Sequence, residues 1–315
     1  MPHSSVSTST LRPLGSTGLQ VSPLTAGTSG LGNRERTTEE AAAATIKAVV
    51  SSPVRVIDTS NEYGDGHSER RIDEALAGET GASKILVVTK VDPLKGGPFD
   101  GDRVRASVAE SLERLRTDFL PLVHFHDPER MTFEDAMAPG GPVEALQQLR
   151  DEGVIGAIGV AGGPTVLLEQ FIRTGVFTSL VTHNRYTVLD RSADDLLNLC
   201  AERNVGVFNA APFGGGVLAG GSSSNYGYRP MTPEHERAFA AITALCEEAG
   251  APLGAASLQW AVREPRIAST IVGVRSPEQL AEVIAWSEVA IADDVLDALG
   301  DLAADRSVWI TTQGR

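Results

Sequence analysis

Eight short runs rich in Val, Ile, Leu and Phe recur along this chain, and helical-period segments separate most of them. The runs are Val21–Thr25, Val54–Ile57, Ile85–Thr89, Phe119–Phe125, Val154–Val160, Leu180–His183, Val205–Asn209 and Ser269–Val272. Their β-branched and aromatic content suits strands. The segments between them, Thr38–Val50, Glu69–Leu76, Arg103–Leu115, Pro142–Arg150, Thr165–Ile172, Ala193–Arg203 and Pro233–Glu248, read as helices. In Arg103–Leu115, Val104, Val108, Leu112 and Leu115 fall three or four apart, while Arg103, Arg105, Glu110, Glu113 and Arg114 take much of the other face. Thr38 and Gly153 sit where a helix start and a helix stop belong.

Strands separated by helices pair in parallel, because parallel neighbours need a crossover connection. An open dinucleotide-binding sheet would carry G-x-G-x-x-G after its first strand. The first loop here reads AGTSGLGNRE, and G-x-x-x-x-G-K-[ST] occurs nowhere. Eight units in about 250 residues fit a closed α/β fold, the (β/α)8 TIM barrel. We expect LRPLGSTGLQ, residues 11–20, to form an N-terminal β-hairpin over the barrel's bottom, and extra C-terminal helices at Glu278–Trp286 and Asp294–Leu302. No linker divides the chain, so residues 11–315 are expected to form one domain behind a disordered tail at residues 1–10.

Charge and composition exclude several functions. A net charge of −14 argues against nucleic acid or an anionic membrane as partner, because both need basic patches. No apolar run approaches the roughly 20 residues of a membrane span, and MPHSSVSTST lacks the apolar core of a signal peptide. Cys200 and Cys246 fall in helical segments and read as core residues rather than a disulfide framework. A cytoplasmic protein is expected, with a small molecule as its partner.

In such a barrel the active site lies at the C-terminal ends of the strands. Asp58 and Tyr63 follow the second strand, Lys90 the third, and His126 ends the fourth. A tyrosine has a pKa of about 10. A neighbouring lysine cation favours its phenolate and is expected to lower that value, while a carboxylate keeps the lysine charged. A histidine beside them can hydrogen-bond and orient a carbonyl oxygen. A lone lysine or histidine at a strand end is ordinarily a satisfied polar group; four such residues at three consecutive strand ends suggest a site.

Those residues sit in motifs that resemble the aldo-keto reductase family over nearly the whole chain. The motifs are DTSNEYGDGHSER, VVTK, TDFLPLVHFHDPE, EGVIGAIGV, AAPFGGGVLAG and SLQWAV…STIVGVRSPEQL. Within the family the chain is most similar to NAD(P)-dependent aldose dehydrogenases, which oxidise threo-aldoses, L-fucose or L-galactose at C1. The resemblance implies hydride transfer between a nicotinamide and a carbonyl or aldose C1. Tyr63 would be proton donor or acceptor, Lys90 and Asp58 its tuning pair, and His126 the carbonyl-orienting group. It also implies a cofactor site that begins at Gly27 and Thr28. Asn184 would take the amide-binding role, and Pro212, Gly214, Gly216 and Leu218 would follow the seventh strand. Gly273, Arg275, Ser276, Gln279 and Glu282 would grip the adenosine half. The family's usual Ser-Asn after the fifth strand is replaced here by Ala161-Gly162, and no aromatic lies at Asn209–Ala211 to stack under a nicotinamide. NAD is favoured over NADP, because Gly273 and Gln279 are uncharged and Glu282 would repel a 2′-phosphate. Arg275-Ser276 stands against that.

Two other readings compete. His124-x-His126 places two imidazoles on one face of a strand, which with Lys90 and His183 suggests a metal-dependent amidohydrolase-like barrel. In that family the pair belongs on the first strand with an aspartate after the eighth, so His124 reads as a core histidine beneath the mouth, and no metal site is expected. A cofactor-binding regulatory subunit with slow turnover is the second alternative.

Overall fold

The computed structural model describes residues 9–221 and 224–310, so all but the last two residues of the expected tail lie outside the described residues. The strands are β1 (Arg12–Pro13), β2 (Gln20–Val21), β3 (Leu24–Gly27), β4 (Val56–Asp58), β5 (Leu86–Val91), β6 (Leu120–His126), β7 (Ile155–Gly162), β8 (Ser179–His183), β9 (Gly206–Ala210), β10 (Asn225–Tyr226), β11 (Arg229–Pro230) and β12 (Ser269–Gly273). The helices are α1 (Glu39–Ser51), α2 (His67–Leu76), α3 (Gly101–Arg114), α4 (Phe133–Met137), α5 (Pro142–Asp151), α6 (Thr165–Arg173), α7 (Asp194–Glu202), α8 (Pro233–Glu248), α9 (Leu253–Val262), α10 (Pro277–Glu288) and α11 (Asp293–Leu302). Eight strands close into a barrel in the order β12-β3-β4-β5-β6-β7-β8-β9, every pair parallel.

Side chains alternate across each strand. On β6, Leu122, His124 and His126 share the inner face, while Val123 and Phe125 pack outward against helices. On β5, Leu86, Val88 and Lys90 point inward. The inner positions are therefore apolar low in the barrel and charged at its mouth. Burying a side chain such as Leu122 or Phe208 stabilises by about 1.5–3 kcal/mol. The strands run past the apolar runs because the polar residues still pair: Gly27 with Asp58, Lys90 with His124, and His126 with Ala161. Asp58, Lys90 and His126 thus sit on the last rungs of the barrel.

The first strand is corrected. Val21 belongs to the hairpin, paired with Arg12, and the barrel strand starts after Pro23, which has no N–H to donate. Leu14 from this hairpin lies against Gly206 and closes the bottom. Thr38 caps α1 by accepting from the Ala41 N–H at 3.2 Å, and Gly153, at φ 77°, ends the α5 segment.

Two helices are absent from the sequence reading, the short α4 and the buried α9. The crossover against the barrel before its eighth strand is α9, buried from Gly254 to Val262, while α8 (read as that helix) lies outside and packs on α9 and α11. A helix buried on every side carries no amphipathic period, so the pattern that finds surface helices passes over it. Cys200 and Cys246 are free and buried in α7 and α8.

Candidate active site

The loop after β4 needs two glycines to carry Tyr63 to the mouth. Gly64 adopts φ 62°, and a Cβ there would collide with the backbone of Gly32. Gly66 adopts φ 81°, and its Cβ would strike the Arg114 guanidinium. That guanidinium donates to the Asn61 carbonyl and to buried Glu69 at 3.2 Å each, tying the loop to α2 and α3.

Inside the loop, Lys90 Nζ reaches Asp58 Oδ1 at 2.8 Å, Asp58 Oδ2 at 2.9 Å, the Thr59 carbonyl at 2.7 Å and Tyr63 Oη at 3.2 Å. The ammonium also stands 4.6 Å from the Tyr63 ring centroid. Burial alone would lower the lysine's pKa, but the charge of Asp58 and then Tyr63 raise it above its ordinary value, so Lys90 stays charged. The expected depression of Tyr63 is not found. Burial raises its pKa more than Lys90 lowers it, and Asp58 offsets part of the lysine's charge, so the phenol is pushed up to about 12.

His126 lies beside them, its ring edge-on to Tyr63 with centroids 6.1 Å apart. Its Nδ1 is 2.6 Å from Asp92 Oδ1. Asp92 was not read from the sequence; period-2 alternation past Lys90 was the signal for it, since residue 92 shares the inward face. Burial would raise the Asp92 carboxyl, but His126 and Ser60 hold it down at about 2. For His126, burial lowers the pKa, and the charge and hydrogen bond of Asp92 more than reverse it.

His124 sits one layer lower, fully buried, with Nε2 3.1 Å from Ser179 Oγ. Burial, then the nearby Lys90 and His126, keep it neutral, and among the described residues His124 belongs to neither group close enough to share a cation. Glu62, Asp92 and His126 lie close enough for a shared cation, as do Asp127, Glu129 and His183. In the first group Asp92 and His126 are already bonded to each other.

A cavity of about 530 Å³ opens above these groups. Of the expected cofactor residues it brings together Gly27, Pro212, Gly216, Gly273 and Arg275, along with Asp58, Tyr63, Lys90 and His126. The others are placed differently. Thr28 is buried as a strut, its Oγ1 donating to the Asp58 carbonyl at 2.8 Å. Gly214 backs onto the Tyr226 ring, and Leu218 is core. Asn184 lies behind the wall with Nδ2 3.3 Å from His183 Nδ1, and it is His183 that faces the cavity. Burial pushes His183 down to about 4, so its ring is neutral there. Ser276 caps α10, Gln279 Oε1 accepts from the Arg275 N–H at 2.9 Å, and Glu282 is exposed on α10.

The residues present suit a nicotinamide dinucleotide. Gly215 and Gly216, at φ 85° and 110°, leave open space where a Cβ would stand, so backbone N–H groups can approach a pyrophosphate. Gly273 is likewise open. Two aromatics missed at Asn209–Ala211 line the cavity instead: Phe213, and Tyr228 from the β10–β11 hairpin, its ring 6.4 Å from His183.

Comparison with known proteins gives the same picture. Residues 23–304 match the Aldo/keto reductase family. The chain is 33% identical to L-galactose dehydrogenase of Arabidopsis thaliana over 282 residues, covering 87% of each protein. It is 30% identical to D-threo-aldose 1-dehydrogenase of a Pseudomonas species, covering 87% of this chain and 92% of that protein. The holo form of aldo-keto reductase AKR11C1 from Bacillus halodurans superposes with a TM-score of 0.76 at 24% identity, covering 93% and 97% of the two chains, which shows the shared fold. No helix among the described residues is long and apolar enough to cross a membrane. The chain belongs to the aldo/keto reductase family and is an NAD(P)-dependent oxidoreductase of that family.

Proposed function

We propose that this enzyme interconverts an uncharged, hydroxylated carbonyl compound, such as an aldose at C1, with its oxidised or reduced partner, using Tyr63 as the proton-exchanging group. The observation that carries this is Lys90 Nζ bridging the Asp58 carboxylate and Tyr63 Oη on the floor of the cavity. A bound nicotinamide supplies or accepts the hydride at the substrate carbon. In reduction Tyr63 Oη–H donates to the oxygen as negative charge develops, and the Lys90 cation 3.2 Å away stabilises the phenolate left behind. Asp58 keeps Lys90 charged and fixed through two hydrogen bonds. His126 orients the carbonyl oxygen from the other side. With its phenol pushed up to about 12, Tyr63 is protonated near neutrality and available as the acid for reduction, and oxidation gains with rising pH.

The walls support this substrate class. Asp127 lines the cavity, and Glu129 packs behind it with Oε2 buried and without a partner. Arg130, the cation beside them, is bonded at 2.9 Å to both Glu62 and Asp127. An anionic substrate would meet repulsion on this side, whereas sugar hydroxyls would find acceptors. Names of similar proteins, L-galactose dehydrogenase and D-threo-aldose 1-dehydrogenase, point the same way.

NAD is the cofactor we favour. Gln279 is folded back on Arg275 N–H, Gly273 offers no side chain, and Glu282 adds negative charge, which leaves Arg275 as the one cation of this set for a 2′-phosphate. Absorbance at the reduced nicotinamide band, with NAD and NADP against neutral aldoses, small aldehydes and their uronate counterparts, tests the proposal. Turnover on neutral sugars with NAD is the expected result; preference for the uronates would overturn the substrate class.

A further inference from the structure

The carboxylate of Asp92 stands outside the group of Asp58, Tyr63, Lys90 and His126, yet it is the most tightly held acid at the mouth. It is fully buried. Its Oδ2 accepts from Ser60 Oγ and, at 3.2 Å, from the Glu62 N–H. Its own backbone N–H donates to Ser107 Oγ at 3.2 Å, and its carbonyl accepts from Arg103 Nε at 2.8 Å. The carboxylate therefore cannot turn away, and Oδ1 is presented to His126 Nδ1 at 2.6 Å. An ionised carboxylate only accepts, so Nδ1 must carry a hydrogen. The state of the other ring nitrogen follows from that bond.

We propose that Asp92 is a positioning residue of the reaction: by accepting the Nδ1 hydrogen of His126 it leaves Nε2, the ring nitrogen turned to the cavity, bearing a proton only when the imidazole is charged. This rests on the reading of His126 as the group that meets the reacting oxygen. In reduction the charged ring offers Nε2–H, a charge-assisted donor to the oxygen on which negative charge builds. In the neutral ring Nε2 is a lone pair and no longer donates; the one hydrogen of a substrate hydroxyl goes to Tyr63 in oxidation, a transfer that needs no donor from His126. His126 thus donates at Nε2 on one side of its titration and not on the other, and Asp92 determines that it does.

The groups that face this ring are Lys90 from β5, Asp92 just after that strand, Asp127 and Glu129 from the loop after β6, Glu62 and Tyr63 from the loop after β4, His124 beneath it and His183 from β8. Asp127 Oδ1 is 3.6 Å from Nε2. Burial and Lys90 oppose the charged ring, Asp92 and Asp127 favour it, and the balance lies above the ordinary histidine value. Reduction should therefore lose rate as pH rises through a limb above about 6.5, the ordinary value.

The test is a long-range 1H–15N correlation spectrum of the 15N-labelled full chain, recorded against pH with and without NAD. The His126 signals are assigned among the six histidines by their loss in His126→Gln. Above its titration the wild-type ring should show a protonated Nδ1 and a bare Nε2. In Asp92→Asn the carboxamide can donate to Nδ1, so the proton should move to Nε2. The titration of His126 should then fall by about one unit or more, since a neighbouring charge is lost. The high-pH limb of kcat/KM for reduction should move down with it, while NAD affinity stays within about twofold. A wild-type ring with its neutral proton on Nε2 would overturn the proposal, as would an Asp92→Asn spectrum with tautomer and titration unchanged. Should that variant not fold, the wild-type spectrum still decides. The spectrum needs no turnover, so failure of the Tyr63 assignment would show in activity and leave this result standing.

Discussion

The two halves of the cavity are built in opposite ways. The floor, formed by the ends of β4, β5 and β6, consists of side chains locked to one another: Lys90 on Asp58 and Tyr63, Asp92 on His126 and Ser60. The rim, formed by the loop after β9 and the β12–α10 junction, where we propose the cofactor binds, consists mostly of backbone and glycine, with Gly215, Gly216 and Gly273 open to the cavity. A floor residue has several partners and few tolerable replacements. A rim residue such as Gln279 makes a hydrogen bond to a backbone N–H while its side chain stays exposed. Chemistry that needs a charge held at a set distance belongs on the floor, and recognition of a long ligand through its phosphates belongs on the rim.

If that contrast is right, the floor should break first and furthest. Lys90→Met leaves the Asp58 carboxylate buried without its cation, a change that costs about 3–5 kcal/mol in comparable buried pairs. Chemical denaturation of wild type and variant should show that loss together with collapse of turnover. A variant of wild-type stability would mean that the pair is not the anchor described here.

The rim should respond by degrees. Gln279→Arg adds one cation near the adenosine end and should raise NADP over NAD selectivity about ten- to hundredfold, as one charge-assisted bond of roughly 1.5–3 kcal/mol would. Its kcat with NAD should hardly move. Wild-type preference for NADP that disappears in Arg275→Ala would instead make Arg275 the phosphate clamp.

The smallest effect concerns His183, which faces the cavity between the two halves. Its pKa is lowered by burial to about 4, so the unfolded chain takes up the proton first. Its share of stability is fully present above about pH 6.5, the ordinary value, and is lost as pH falls toward 4. His183→Gln should flatten the fall in stability between pH 6.5 and 4 in denaturation curves. An unchanged slope would show that the ring is charged or solvated in the fold.

The same contrast explains what could be read from the sequence. The eight strands were legible because their runs alternate or stay apolar, and the floor was legible because charged residues interrupt those runs at the mouth. Asp92 escaped because it follows the strand rather than ending its apolar run, and only the alternation beyond Lys90 placed it inward. The tyrosine's titration was misjudged because burial, which opposes phenolate more than Lys90 favours it, has no signature in a motif. On the rim, Asn184 and Gln279 were chosen by residue type, whereas φ 58° at Asn184 and the turn of Gln279 onto a backbone N–H decide where their amides go. Backbone geometry of that kind depends on packing from distant segments. Helix α9 was missed for the related reason that full burial erases amphipathic period.

The central claim is that Tyr63 exchanges the proton, and Tyr63→Phe tests it most directly, because the change removes one oxygen from a ring already packed in place. The expected result is a loss in kcat/KM on the order of 10²–10⁴, in both directions, with NAD affinity and thermal stability near wild type. Turnover within a few-fold of wild type in a Tyr63→Phe variant that folds and binds NAD would contradict it.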